Sequence, residues 1–180
     1  MALRQIIFSD NPLLRQKSRR VPKVTPDIIR LAQDMFETMR QANGVGLAAV
    51  QVAVPLRLIV VEIPKDMDDP NAGTSFALLN PELARVSEEM EAGAEGCLSV
   101  PGWMGRVERH AAVTVKGLDL EGKKVRRRAE GYLARVLQHE IDHLNGILFI
   151  DRTDQVWPVE EGEEEALEAR HAATQISLSP

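Results

Sequence analysis

The chain has 180 residues, 44% of them hydrophobic and 27% charged, which suits one folded globular core and excludes both wholesale disorder and a fibrous repeat. No apolar run approaches the roughly 20 residues of a membrane-spanning helix. The opening MALRQIIFSD lacks the basic and apolar regions of a leader, and the lone Cys97 excludes an internal disulfide, so a reducing, cytoplasmic setting is expected. The net charge of −5 falls wholly on residues 160–180, where six glutamates face Arg170, and the neutral remainder lacks the basic surface of a nucleic-acid binder.

In chain order, Asn11-Pro12 predicts a short helical turn, since proline tolerates the first helical position. Thr25 is a good cap for a helix that starts with Pro26 and Asp27. Its apolar stripe runs through Ile28, Leu31, Ala32, Met35 and Met39 and stops at Gly44. Short β-rich segments follow at Leu56–Ile63, Phe76–Leu79, Val113–Leu118 and Val125–Glu130, punctuated by proline, glycine and asparagine. Asp119 to Gly122 reads as a hairpin turn. The run Lys123, Lys124, Arg126, Arg127 and Arg128 beside it is either a solvated strand or an RNA contact, and charge runs near turns are usually solvated. A second helix runs from about Gly131 to Asn145, with Gly146 as a left-handed cap. The expected fold is α+β, mainly antiparallel strands around a central metal-binding helix, with an N-terminal helix. Residues 1–159 form the expected catalytic domain. The acidic tail 160–180 is helix-friendly from Glu163 to about Gln175 but can equally fray.

The second helix carries His139-Glu140-Ile141-Asp142-His143, an H-E-x-x-H pattern. Four residues turn through about 400°, so both imidazoles leave nearly the same side of the helix and can grip one cation. Tyr132 and Val136 share that side, whereas Leu133, Leu137, Ile141 and Leu144 cluster on another. A helix needed only for packing does not require two such faces, although two hydrogen-bonded core histidines would also satisfy the pattern.

A catalytic site of this kind takes three protein ligands and leaves a position open. The third can come from His171 or a glutamate of the tail, or from Cys97 in Glu95-Gly96-Cys97-Leu98-Ser99. Cys97 is the better candidate, and a thiolate with two imidazoles suits Zn(II) or Fe(II) over magnesium or calcium. Gly44-Val45-Gly46-Leu47-Ala48-Ala49-Val50-Gln51 is not a phosphate loop, because it lacks the Lys-Ser/Thr ending. It marks a close approach of backbone or ligand, with Gln51 able to donate to an oxyanion.

Together, Gly44–Gln51, Glu95–Ser99 and Gln138–His143 with Leu144-Asn145-Gly146 resemble the three signature motifs of peptide deformylase, in that family's order. Asp10-Asn11-Pro12 and Leu148-Phe149-Ile150-Asp151-Arg152 resemble it too. The resemblance implies hydrolytic removal of the formyl group from the N-terminal formylmethionine of new polypeptides, with release of formate and with no specific nucleic-acid or membrane partner. It implies that Cys97, His139 and His143 hold one divalent metal, usually Fe(II) and replaceable by Zn(II) or another transition metal. Glu140 would be the base and then the acid, Gln51 and the Leu98 N–H would bind the oxyanion, and Glu95 would support a metal ligand. Gly46 and Val45 would lie along the substrate, and Val136 and Tyr132 would line an apolar slot for methionine.

The chain departs from the family at Met104, where many relatives carry an arginine, and Arg106 is the substitute to test. Two other readings use the same residues: a peptidase cutting internal bonds, which calls for a carboxylate or imidazole as third ligand, and a noncatalytic domain with a structural metal, which needs a fourth ligand. His110 reads as a strand residue with no role.

Overall fold

The structure, a computed structural model, describes residues 2–159. The suggested tail helix lies outside these residues. Two helices, α1 (Pro26–Gln41) and α2 (Gly131–Leu144), accompany eight strands: β1 (Gly46–Ala48), β2 (Leu58–Glu62), β3 (Ser75–Val86), β4 (Met90–Gly96), β5 (Trp103–His110), β6 (Ala112–Leu118), β7 (Lys124–Glu130) and β8 (Val156–Pro158). They form a five-stranded sheet, order β1-β2-β3-β6-β7, and a three-stranded sheet, order β4-β5-β8. Every pairing between these strands is antiparallel, so the α+β expectation holds.

The two helices cover opposite faces of the larger sheet. In β2, Leu58 and Val60 join Leu31, Met35 and Met39 of α1, whereas Ile59 and Val61 join Leu133, Leu137, Ile141 and Leu144 of α2. A continuous Leu-Ile-Val-Val run is what period-2 alternation requires when both faces are buried. Thr25 caps α1 as expected, its hydroxyl accepting from the Ile28 N–H. Asn11 caps a 3-10 turn over Pro12–Arg15. The chain leaves α2 through Gly146 at φ 77°, with the Ile147 N–H donating to the Asp142 carbonyl at 3.0 Å.

Several expectations need correction. The expected strand at Phe76–Leu79 continues to Val86 past register shifts around Asn80 and Pro81. Strands β1, β4 and β8 were not expected, and of β5 only His110 was read as a strand residue. The basic run lies on β7, the edge of the larger sheet, where Lys124, Arg126, Arg127 and Arg128 are exposed. Charges there discourage edge-to-edge pairing, which favours the solvated-strand reading. Arg127 also lies over the Phe76 ring, 4.2 Å from its centroid. His110 does have a structural task, because its Nδ1 lies 2.7 Å from the Ser87 carbonyl oxygen.

The histidine side of α2 is largely covered by protein. From Leu133 to Leu144 every residue of the helix is buried, because the smaller sheet covers the side that the larger one leaves free. Val107 of β5 belongs to the same apolar cluster as the α2 leucines.

Candidate metal centre

Three stretches of chain meet beside α2. The first runs from Gly44 through β1 into a 3-10 turn at Ala49–Val52, which ends at Ala53 in the left-handed region. This turn buries Gln51 and aims its amide: Oε1 accepts from the Ala48 N–H at 2.8 Å, while Nε2 lies 3.1 Å from Ser99 Oγ and 3.6 Å from Cys97 Sγ. The second is the turn after β4, where the Ser99 N–H points at Cys97 Sγ at 3.4 Å. The Leu98 N–H has no hydrogen-bond partner among the described residues. An extended N-terminal segment ties the two stretches together, the Ile7 N–H donating to the Gln51 carbonyl and the Ser9 N–H to the Ser99 carbonyl.

The third stretch is α2 itself. His139 and His143, one turn apart, bring their Nε2 atoms to 3.1 Å, and His143 Nε2 lies 3.3 Å from Cys97 Sγ. One ligand atom from each of the three residues falls within 4.8 Å of the others, so this trio could hold one metal ion. The donor set fits such an ion: a soft thiol with two imidazoles is a transition-metal environment. His139 Nδ1 lies 2.9 Å from Glu95 Oε2, and that bond leaves Nε2 free as a ligand.

Burial and neighbouring charges pull the buried groups in different directions. Burial disfavours a charged His139, yet the Cys97 thiol and the Glu95 carboxylate outweigh it and hold the imidazole well above its usual range. His143 is pushed well below its usual range by burial and by the positive charges of His139 and Arg109. Burial would also raise Glu95, but hydrogen bonds from Arg109 and His139 prevail and keep it ionised far below the ordinary carboxylate range.

Glu140 is buried beside the trio, and its Oε2 has no hydrogen-bond partner among the described residues. Burial, reinforced by the Glu95 charge, raises it to about 7, against the opposing pull of His139. Gly46 is what admits this carboxylate: a Cβ there would stand 2.4 Å from Glu140 Oε1. The sequence marked this segment as a close approach of another chain segment or a ligand, and at Gly46 the neighbour is the Glu140 side chain.

A cleft of about 520 Å³ opens over these groups, lined by Val45, Gly46, Gln51, Glu95, Cys97, Leu98, Tyr132, Val136, His139 and Glu140 among others. His143 is essentially inaccessible and does not line the cleft. Met104 lines the cleft, but Arg106 does not. It sits in a separate depression with Glu108, Asp151, Arg152 and Asp154, so it does not take the place of the missing arginine.

The sequence reading missed the ionic layer beneath the site. Arg109 grips Glu95 with two hydrogen bonds, at 2.8 and 2.9 Å, and reaches Asp142, which Arg152 holds with two more. The available signal was Asp142 inside the histidine motif, a carboxylate on a helix with no exposed face.

An antiparallel α+β domain with a Cys–His–His trio and a buried glutamate on one central helix is that of a metal-dependent hydrolase. Comparison with known proteins narrows the class. The family described as Polypeptide deformylase matches residues 3–158, and the peptide deformylase of Thermomicrobium roseum is 49% identical over 97% of this chain and 99% of its own. The crystal structure of peptide deformylase from Ehrlichia chaffeensis superposes with a TM-score of 0.81 at 34% identity, covering 97% of each chain. The Acinetobacter baumannii enzyme with Met-Ala-Ser bound gives 0.79 at 39% identity, over 85% of this chain and 99% of that one. The chain belongs to the polypeptide deformylase family.

Proposed function

We infer that this protein hydrolyses the formamide bond at the N-terminal formylmethionine of newly synthesised polypeptides and releases formate. The observation that carries the reading is the convergence of Cys97, His139, Glu140 and Gln51 on one cleft, with His143 beside Cys97 and His139. The family membership and the Met-Ala-Ser bound to the Acinetobacter baumannii relative support it.

Cys97, His139 and His143 would hold one divalent transition-metal cation, Fe(II) as is usual for the family or Zn(II) or another transition metal in its place. When bound, the metal lowers the pKa of water from 15.7 toward about 7 and polarises the formyl oxygen. Glu140 takes the water proton during attack and delivers it to the departing amine, which must be protonated to leave. A carboxylate raised toward neutrality suits both transfers. Gln51 Nε2 and the Leu98 N–H donate to the oxygen on which negative charge develops, each worth about 2.7–4 kcal/mol of barrier lowering if it follows other oxyanion donors. Glu95 holds the His139 tautomer. Tyr132 and Val136 line the slot for the methionine side chain, while Gly46 and Val45 run beside the peptide backbone.

Cleavage of internal peptide bonds has no comparable support, since it calls for a third imidazole or carboxylate ligand, and among the described residues the donor that converges with the two histidines is the Cys97 thiol. Among the described residues no helix is long and apolar enough to cross a membrane. The substrates are new polypeptide chains, and we assign the protein to the cytoplasm where these are made. The test is formate release from formyl-Met-Ala peptides under anaerobic handling, beside unformylated controls. Formate appearing only from the formylated peptide is expected, and internal cleavage without formate would replace this reading with the peptidase.

A further inference from the structure

Glu95 is held by more than the arginine of the neighbouring strand. Its Oε1 accepts from Arg109 Nε at 2.8 Å and from Arg135 Nη1 at 2.9 Å, while Oε2 accepts from Arg109 Nη2 and faces His139 Nδ1, both at 2.9 Å. A carboxylate offers about four acceptor positions, and all four are engaged. Arg135 comes from α2, one turn before His139, so it lies on the same side of the helix as the ring that Glu95 orients. The same guanidinium donates to the carbonyls of Val107 on β5 at 2.8 Å and Glu91 on β4 at 2.7 Å. One side chain thus joins both long strands of the smaller sheet, the supporting carboxylate and the helix that bears the histidines. Lysine could not do this, since it offers a point charge in place of a planar fork.

A second observation concerns Gly93 on β4. A Cβ built there would stand 2.8 Å from Arg135 Cζ and Nη2, so the strand leaves space for the guanidinium at the one position that would displace it. Arg135 is also 8% exposed, too enclosed for a cation retained only for solubility.

We propose that Arg135 is a positioning residue for the metal-binding histidine His139, acting through Glu95, and that it sets how tightly the Cys97–His139–His143 site holds its metal. This deepens the proposed site and rests on that reading. Arg109 alone fixes the plane of the Glu95 carboxylate, and Arg135 fixes its place relative to α2, so that Oε2 stays in line with His139 Nδ1. Loss of such a supporting partner typically weakens metal binding 10- to 100-fold.

The test measures Zn(II) affinity of the full-length protein by competition with a chelator, with circular dichroism to confirm folding. Arg135→Met is expected to weaken Zn(II) binding about tenfold or more, and Arg135→Lys less. Gly93→Ala, which alters no charge, is expected to weaken it in the same direction by crowding the guanidinium. In a Glu95→Gln background, Arg135→Met should add less than about a twofold further loss, because its effect passes through that carboxylate. A merely structural arginine would lower thermal stability and leave the affinity of the folded protein unchanged. Affinity within about twofold of wild type in Arg135→Met, or an undiminished loss in the Glu95→Gln background, would overturn the proposal. If Arg135→Met does not fold, Arg135→Lys and Gly93→Ala decide by the same criterion. Cys97→Ala is the control: loss of Zn(II) there upholds the site, and retention at wild-type affinity would overturn the site itself.

Discussion

The two sheets grip α2 by different physics. On the side of the larger sheet, Leu133, Leu137, Ile141 and Leu144 meet Ile59, Val61, Val113 and Val115 in a cluster without charge. On the side of the smaller sheet, Glu95, Arg109, Arg135 and Asp142 are buried together in a lattice of ion pairs. The apolar side supplies most of the driving force for folding and tolerates small shifts, because burial is not directional. The ionic side earns little net stability, since desolvation offsets much of the attraction, but it fixes distances and angles. His139 and His143 lie along the boundary, anchored in depth by one side and oriented by the other. A ligand helix needs both, because correct residues held loosely do not make a site.

The largest expected effect is on chemistry alone. Glu140→Ala should lower formate release about 10²- to 10⁴-fold while leaving metal content intact, as read by turnover and elemental analysis of the same sample. Retained turnover would remove Glu140 as the proton carrier. Next come variants that separate the two sides of α2. Asp142→Asn leaves Arg109 with Glu95 alone and Arg152 without its carboxylate and should cost about 1–3 kcal/mol in urea unfolding, with weakened metal retention. Leu137→Ala on the apolar side should cost about 2–5 kcal/mol but leave the metal affinity of the folded protein unchanged. Equal effects on affinity would erase the division of labour between the sheets.

Acid sensitivity sharpens the same comparison. Hydrogen bonds from Arg109 and His139 overcome the burial that would raise Glu95, so its folded value lies below the ordinary one near 4.5. The unfolded chain therefore binds the proton first as pH falls. The contribution of Glu95 is complete above that ordinary value and is lost progressively below it. Urea midpoints followed from about pH 6 to about pH 3 should fall more steeply for wild type than for Glu95→Gln, and parallel curves would contradict this. The smallest effect is expected on the exposed edge strand β7. Arg127→Ser removes the cation over Phe76 and should cost about 0.5–1 kcal/mol, with no change in turnover.

Much of the apolar side was legible in the sequence, because its elements have clean periodicity. The helices α1 and α2, strands β2, β6 and β7, and the cap at Gly146 follow from stripes, alternation and turn residues. The ionic side was not legible, for physical reasons. In β4, Met-Glu-Ala-Gly-Ala-Glu-Gly has no apolar alternation, because its inward positions hold Glu95 and, at Gly93, space for a guanidinium. In β5 the inward set is Gly105, Val107 and Arg109, so a charge occupies a core position and hides the period. Strand β3 was cut short at Leu79 because Asn80 and Pro81 read as a turn, whereas the strand accommodates them with a positive φ of 51° at Asn80. The trio was legible because the i, i+4 spacing is local to one helix. Its third member, Cys97, lies more than 40 residues earlier and was reached by donor chemistry and the glycine beside it, then reinforced by the family resemblance.

The central claim is that one sulfur and two imidazoles hold a single catalytic cation. X-ray absorption of the metal-loaded, active protein tests it most directly. One sulfur scatterer and two imidazoles are expected in the metal's shell, and Cys97→Ala is expected to retain no metal at the site. A shell of nitrogen and oxygen alone in the active wild-type enzyme would contradict it.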